Sequence, residues 1–175
     1  RRRFAQVSHE YLIEQVQHQD ASASALSTEL NFNHPVKELV WAGKVASYPW
    51  GTAAEQAGLL ADVAGTNWQL KLNGHDRFAE QPVSYFTQLQ VTKYHTGCGS
   101  RAMFADQGVN SIAVYSFALK PEEHQPSGTC NFSRIDTAKL DIGTNGGMDG
   151  TDTIYAVNYN VLRIMSGMGG LAYSN

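Results

Sequence analysis

The chain predicts an all-β fold, an antiparallel eight-stranded sandwich with one or two short helices in its loops, and three observations carry that expectation. Short runs rich in Val, Ile, Tyr, Phe and Thr recur along 175 residues. Turn clusters separate them, among them Asn33-His34-Pro35, Asn73-Gly74 and the glycine-rich stretch 144–150. No alternation of strands with long helical patterns is present, which removes a parallel α/β sheet. The length suits one domain with one core.

The elements follow in order. SHEYLIEQVQ (8–17), STELNF (27–32) and VKELVWAGKV (36–45) read as strands. Thr52 and Glu55 have the spacing of a capping box, so a helix is expected from there through Val63, closed at Gly65. NWQLKL (67–72) is the next strand. A second helix is expected over 80–90, with Pro82 in its first turn and Val83, Phe86 and Leu89 or Gln90 along one side. SIAVYSFAL (111–119) is a strand ended by Pro121, and SRIDTAKLDI (133–142) another. The clearest is TIYAVNYNVLRIM (153–165), where Tyr155, Val157, Tyr159, Val161 and Met165 alternate with Ile154, Ala156, Leu162 and Ile164. Both of its faces are mostly apolar, the mark of an inner strand.

Charged residues make up 17% of the chain, so its surface is sparsely charged, and 13 basic against 16 acidic residues leave no field for gripping a nucleic-acid backbone. The one basic run, Arg1 to Arg3, opens the chain without a methionine or an apolar leader, which predicts the C-terminal part of a longer protein. No window is apolar enough for a transmembrane helix. Two cysteines, Cys98 and Cys130, fit a reducing compartment and leave a single bridge open.

Chemistry concentrates in SFALKPEEHQPSGTCNFSRID (116–136). His95 and Cys98 with His124 and Cys130 would supply four zinc ligands, but the second pair lies six apart across a proline-containing loop rather than in a tight spacing. A hydrolase would take Cys130 or Ser127 as nucleophile, His124 as base and Glu122, Glu123 or Asp136 to orient it, yet no nucleophile elbow or oxyanion motif flanks them. No histidine lies two residues from another, which removes the metal pair of sandwich-fold metalloenzymes. Neither 143–150 nor 167–170 precedes a helix or holds a P-loop lysine, so both read as flexible turns without phosphate chemistry. Asn131-Phe132-Ser133 is formally a glycosylation sequon, to which no glycan is assigned. Tyr48, Pro49, Trp50 and Trp68 form the best candidate platform for a carbohydrate, weighed against packing at the sandwich end or a subunit contact, which is favoured. No catalytic, cofactor-binding or metal residue is therefore assigned, and no cofactor or enzymatic activity is expected.

Four stretches, FNHPVKELVWAGK (32–44), LKLNGHDRF (70–78), YSFALKPEEHQPSGTCNFSRID (115–136) and IYAVNYNVLRIMSGMGGLAYSN (154–175), closely resemble the major capsid protein family of nucleocytoplasmic large DNA viruses. Residues 46–66, 96–111 and 137–152 fall outside the match and read as variable loops. The resemblance implies a double jelly-roll subunit, of which residues 1–175 form the second, C-terminal sandwich as a single domain, the first being absent. It also implies homotrimeric, pseudo-hexagonal capsomers in the outer shell of an icosahedral virion assembled in the host cytoplasm. Neighbouring capsomers and minor capsid proteins are the implied partners, with no direct nucleic acid. Glu122, Glu123 and His124 are then better suited to subunit contacts than to catalysis.

Overall fold

A computed structural model describes residues 6–21, 26–42, 60–61, 67–96, 109–110, 112–142 and 153–174. The strands are β1 (His9–Asp20), β2 (Ser27–Glu29), β3 (Pro35–Ala42), β4 (Leu60–Ala61), β5 (Asn67–Leu72), β6 (His75–Asp76), β7 (Gln81–Pro82), β8 (Val109–Asn110), β9 (Ile112–Ser116), β10 (Cys130–Asn131), β11 (Ala138–Ile142), β12 (Thr153–Met165) and β13 (Met168–Leu171). Between β7 and β8 a π-helical turn, α1 (Tyr85–Leu89), runs directly into α2 (Gln90–Tyr94).

These strands form two antiparallel sheets. The larger runs β1-β12-β3-β10, with β13 beside β12 and β9 beside β3; the smaller runs β2-β11-β5-β6, with β7 beside β5. A separate ribbon pairs β4 with β8. The segments outnumber the expected eight because pairings of two residues, such as β6, β7 and β10, flank the longer strands. As its two apolar faces require, β12 is an inner strand, holding β1 along twelve residues on one side and β3 on the other.

Alternation fixes what lies between the sheets. Val36, Leu39 and Trp41 of β3 and Ile154 and Ala156 of β12 point inward, facing Trp68 and Leu70 of β5 and Ala138 and Leu140 of β11. An aromatic chain threads this core: Trp68 on Trp41 (5.4 Å between ring centroids), Trp41 on Phe86 (5.2 Å), Phe86 on Phe78 (5.6 Å), Phe78 on Tyr115 (4.8 Å) and Tyr115 on Phe117 (5.1 Å). The helical segment supplies Val83, Phe86 and Gln90 to the buried side, while Leu89 faces out.

Three expectations need correction. Helical structure begins later than residue 80, because Gln81–Pro82 pairs with Asn67 and Trp68, and it extends to Tyr94. Pro82 tolerates that edge position because it has no N–H to lose. Within the helix expected over 52–63, Leu60–Ala61 is a strand; the rest lies outside the described residues, as do Arg1 to Arg3 and 143–150. The stretch 167–170 is no mere turn: Ser166 (φ 53°) and Gly167 (φ 81°) make a two-residue hairpin, and Met168–Leu171 returns as β13 along β12. The predicted Asn73-Gly74 turn is present, both residues having positive φ.

Candidate functional site

Strand β3 brings buried charge into the larger sheet, at Lys37 and Glu38. Its register against β12 shifts so that Val157 faces Glu38 and Asn158 faces Val36, leaving Lys37 as the extra residue of a β-bulge. Two successive side chains, Lys37 and Glu38, thereby share the outer face of the larger sheet. Lys37 is buried there; its Nζ lies 2.8 Å from Glu14 Oε1 on β1, donates to the Pro121 carbonyl (2.7 Å) and sits 5.7 Å from the centre of the Tyr159 ring.

Residues 117–127 cover this corner. The Phe117 and Ala118 N–H groups both donate to the Lys37 carbonyl, and the Leu119 N–H donates to the Ser127 carbonyl. Gly128 (φ 147°) closes the loop where a Cβ would stand 2.7 Å from the Phe117 carbonyl oxygen, so only glycine fits without a shift. Glu122 receives the Thr96 N–H (2.9 Å) and hydroxyl (2.8 Å) just past α2. Those two bonds hold its carboxyl below the usual carboxylate range. His95 bridges onward, with Nδ1 3.4 Å from Glu122 Oε1 and Nε2 3.1 Å from Glu38 Oε2. Burial raises the Glu38 carboxyl, opposed by His95 and Lys37.

The residues singled out by sequence scatter around this corner in structural roles. Ser127 Oγ accepts from the Lys120 N–H (2.9 Å) and donates to the Lys120 carbonyl (3.3 Å), closing the loop on itself. Cys130 is half-buried in β10, and burial pushes its thiol up, away from the reactive thiolate. Asp136 is engaged through its backbone, whose N–H donates to Asn73 Oδ1. Glu123 pairs with Lys120, and His124 is exposed, 3.9 Å from Glu14. Among the described residues no group of three or more His, Cys, Asp or Glu could hold a metal, and Cys98 lies outside them. Asn131 Oδ1 accepts the Ser133 N–H and caps the 3-10 turn Phe132–Arg134. Trp68 lies in the core against Trp41, which removes it from the carbohydrate platform; Tyr48, Pro49 and Trp50 lie outside the described residues.

Sequence reading missed Lys37, Glu38, Glu14 and Tyr159. The available signal was the adjacent Lys-Glu inside VKELVW, since two neighbouring charges in an inner strand break its period.

The same outer face turns apolar away from the covered corner. Cross-strand neighbours Leu12 and Val161, Val16 and Val157, and His18 and Tyr155 lie side by side on β1 and β12. Val16 is 63% exposed and Tyr155 39%, an uncovered patch on a sheet whose other face is core. The smaller sheet instead presents charge: Glu29, Lys139, Lys71 and Asp76 stand in register across β2, β11, β5 and β6, with Lys71 2.7 Å from Asp141.

Comparison with known proteins places the chain in a family. Residues 1–170 match the family described as large eukaryotic DNA virus major capsid protein. The chain is 49% identical over 190 aligned residues to the major capsid protein of Pyramimonas orientalis virus, all of this chain matching 46% of that protein. It is 39% identical over 232 residues to the major capsid protein of Paramecium bursaria Chlorella virus 1, again over its whole length and 51% of the relative. A solved quasi-atomic structure of the PBCV-1 virus capsid superimposes with a TM-score of 0.73 at 36% identity, covering 99% of this chain and 54% of the other. The chain thus spans about half the length of the relatives it matches. Its sandwich is a capsid jelly roll. With a family match running nearly end to end on top of that fold, the chain belongs to the major capsid proteins of large eukaryotic DNA viruses.

Proposed function

We propose that this chain is a single jelly-roll domain of the outer icosahedral shell, the second sandwich of a double jelly-roll subunit that forms homotrimeric, pseudo-hexagonal capsomers. The observation that carries the reading is the uncovered apolar stripe of Val16, Val157 and Tyr155 on the larger sheet, which in an isolated domain would lie against water. A shell subunit gains cohesion from many modest contacts repeated by symmetry, and such a face serves that purpose better than a polarised cleft. Capsomer neighbours and minor capsid proteins are its partners. Its near-neutral charge supports a role away from the genome, and the engagement of Ser127 and Cys130 in loop and strand structure supports a non-catalytic one. Its place is then the virion, with assembly in the host cytoplasm.

Mass spectrometry and cryo-electron microscopy of purified particles test this. The expected result is a high-copy protein whose density occupies the trimeric capsomers. Trace abundance, or density confined to the particle interior, would sink the proposal.

A further inference from the structure

Residues 117–127 lie over the outer face of the larger sheet as a strap, and two fastenings hold them. One is the Lys37 ammonium, shared between Glu14 and the Pro121 carbonyl. The other runs through His95 at the end of α2, which faces Glu122 on the strap with Nδ1 and Glu38 on β3 with Nε2. The His95 side chain is 20% exposed and that of Glu38 12%. Among the described residues neither His95 Nε2 nor Glu38 Oε2 has a hydrogen-bond partner, so the two meet as an ion pair only.

A neutral imidazole has one N–H and can donate to one carboxylate at a time. With that proton on Nδ1 and Glu38 ionised, lone pairs would oppose each other across 3.1 Å in a site largely closed to water. The contact is satisfied when one further proton lies between His95 Nε2 and Glu38 Oε2, whichever atom carries it. We infer that His95 and Glu38 form a one-proton catch that fastens the strap and the end of α2 to the sheet, and that loosens as rising pH removes the proton. Burial of Glu38 acts in the same direction, since a carboxyl raised in the folded state contributes stability that is lost as pH rises through its folded value. Among the described residues, the other charged groups acting on Glu38 are Lys37 from β3 and Glu14 from β1, with Tyr159 of β12 and His124 of the strap beside them; the strap also carries Lys120 and Glu123, and α2 carries Lys93 and Tyr94. Glu122 stays ionised throughout, held so by Thr96, and acts as a constant acceptor.

Hydrogen exchange on the 175-residue chain, followed upward from about pH 5, just above the ordinary glutamate range over which the Glu38 carboxyl is raised, to about pH 8.5, tests the catch. After correction for intrinsic exchange, the Phe117, Ala118 and Leu119 amides are expected to open several-fold more at the alkaline end. The β12 amides in the same sample should not follow. In His95→Gln, which leaves a proton on Glu38 without the imidazolium that links it to Glu122, strap opening should no longer follow that proton and its pH response should flatten, and in Glu122→Gln the response should flatten because the ring no longer reaches a charge on the strap. A flat wild-type profile overturns the inference, as does a wild-type response retained in either variant. Should His95→Gln fail to fold, Glu122→Gln decides alone, its side chain being 41% exposed and tolerant of the change.

Discussion

Lys37 serves three neighbours at once: the Glu14 carboxylate, the Pro121 carbonyl and the Tyr159 ring. Replacing it with methionine keeps the stem but leaves the Pro121 carbonyl without its donor and Glu14 without its cation. Urea unfolding of Lys37→Met is expected to show a loss of roughly 1–3 kcal/mol, the cost of orphaning buried polar groups. Gly128→Ala forces a Cβ against the Phe117 carbonyl at a φ that side chains rarely adopt, so it should cost more than the roughly 1 kcal/mol typical of a point change. Trp68→Ala empties the space against Trp41 and should cost about 3–5 kcal/mol by the same measurement. No comparable loss is expected if Trp68 served only as a surface platform.

Among elements, β11 is tied to its neighbours by one carboxylate. Asp141 receives Lys71 from β5 and the Ser27 hydroxyl from β2; burial opposes its ionisation, but these bonds outweigh burial and hold the carboxyl below the ordinary aspartate range. A carboxyl depressed in the folded state contributes stability that is complete above its unfolded pKa and is lost as pH falls through the folded value. Thermal melts should therefore fall below about pH 4, the ordinary aspartate range, and Asp141→Asn should shallow that fall while lowering stability at neutral pH. An unchanged acid slope in the variant would rule this link out. Elements also show what the sequence could reveal. β12 and β5 are legible to the residue because alternation persists through them, and Asn73-Gly74 marks its turn by conformational demand. β13 escapes because its two glycines carry no side chains to pattern, and the start of the helical segment blurs because Pro82 suits an edge strand as well as a first helical turn. The charged corner is hidden for another reason. It depends on a bulge and on partners far along the chain, which a period of two does not encode.

At the scale of the molecule, the two sheets show unlike exteriors, one apolar along Val16 and Tyr155, the other charged along Glu29, Lys139, Lys71 and Asp76. Val16→Glu should leave the isolated fold within about 0.5 kcal/mol, as surface changes usually do, while lowering the yield of capsomers measured by light scattering after chromatography. Full assembly by the variant would remove that face from the interface. The order of the strands has a consequence for synthesis. Among the described residues strand β1 pairs with β12 alone, with Gln15 meeting Asn160 across 145 positions and Glu10 meeting Arg163 across 153. A ribosome adding about 5–20 residues per second needs on the order of ten seconds to cross that interval. Throughout it the nascent β1 has an open edge, and β3 cannot acquire the central strand that separates it from β1. Until β12 emerges, the nascent chain thus carries an unpaired strand edge, the kind of surface that invites misassembly.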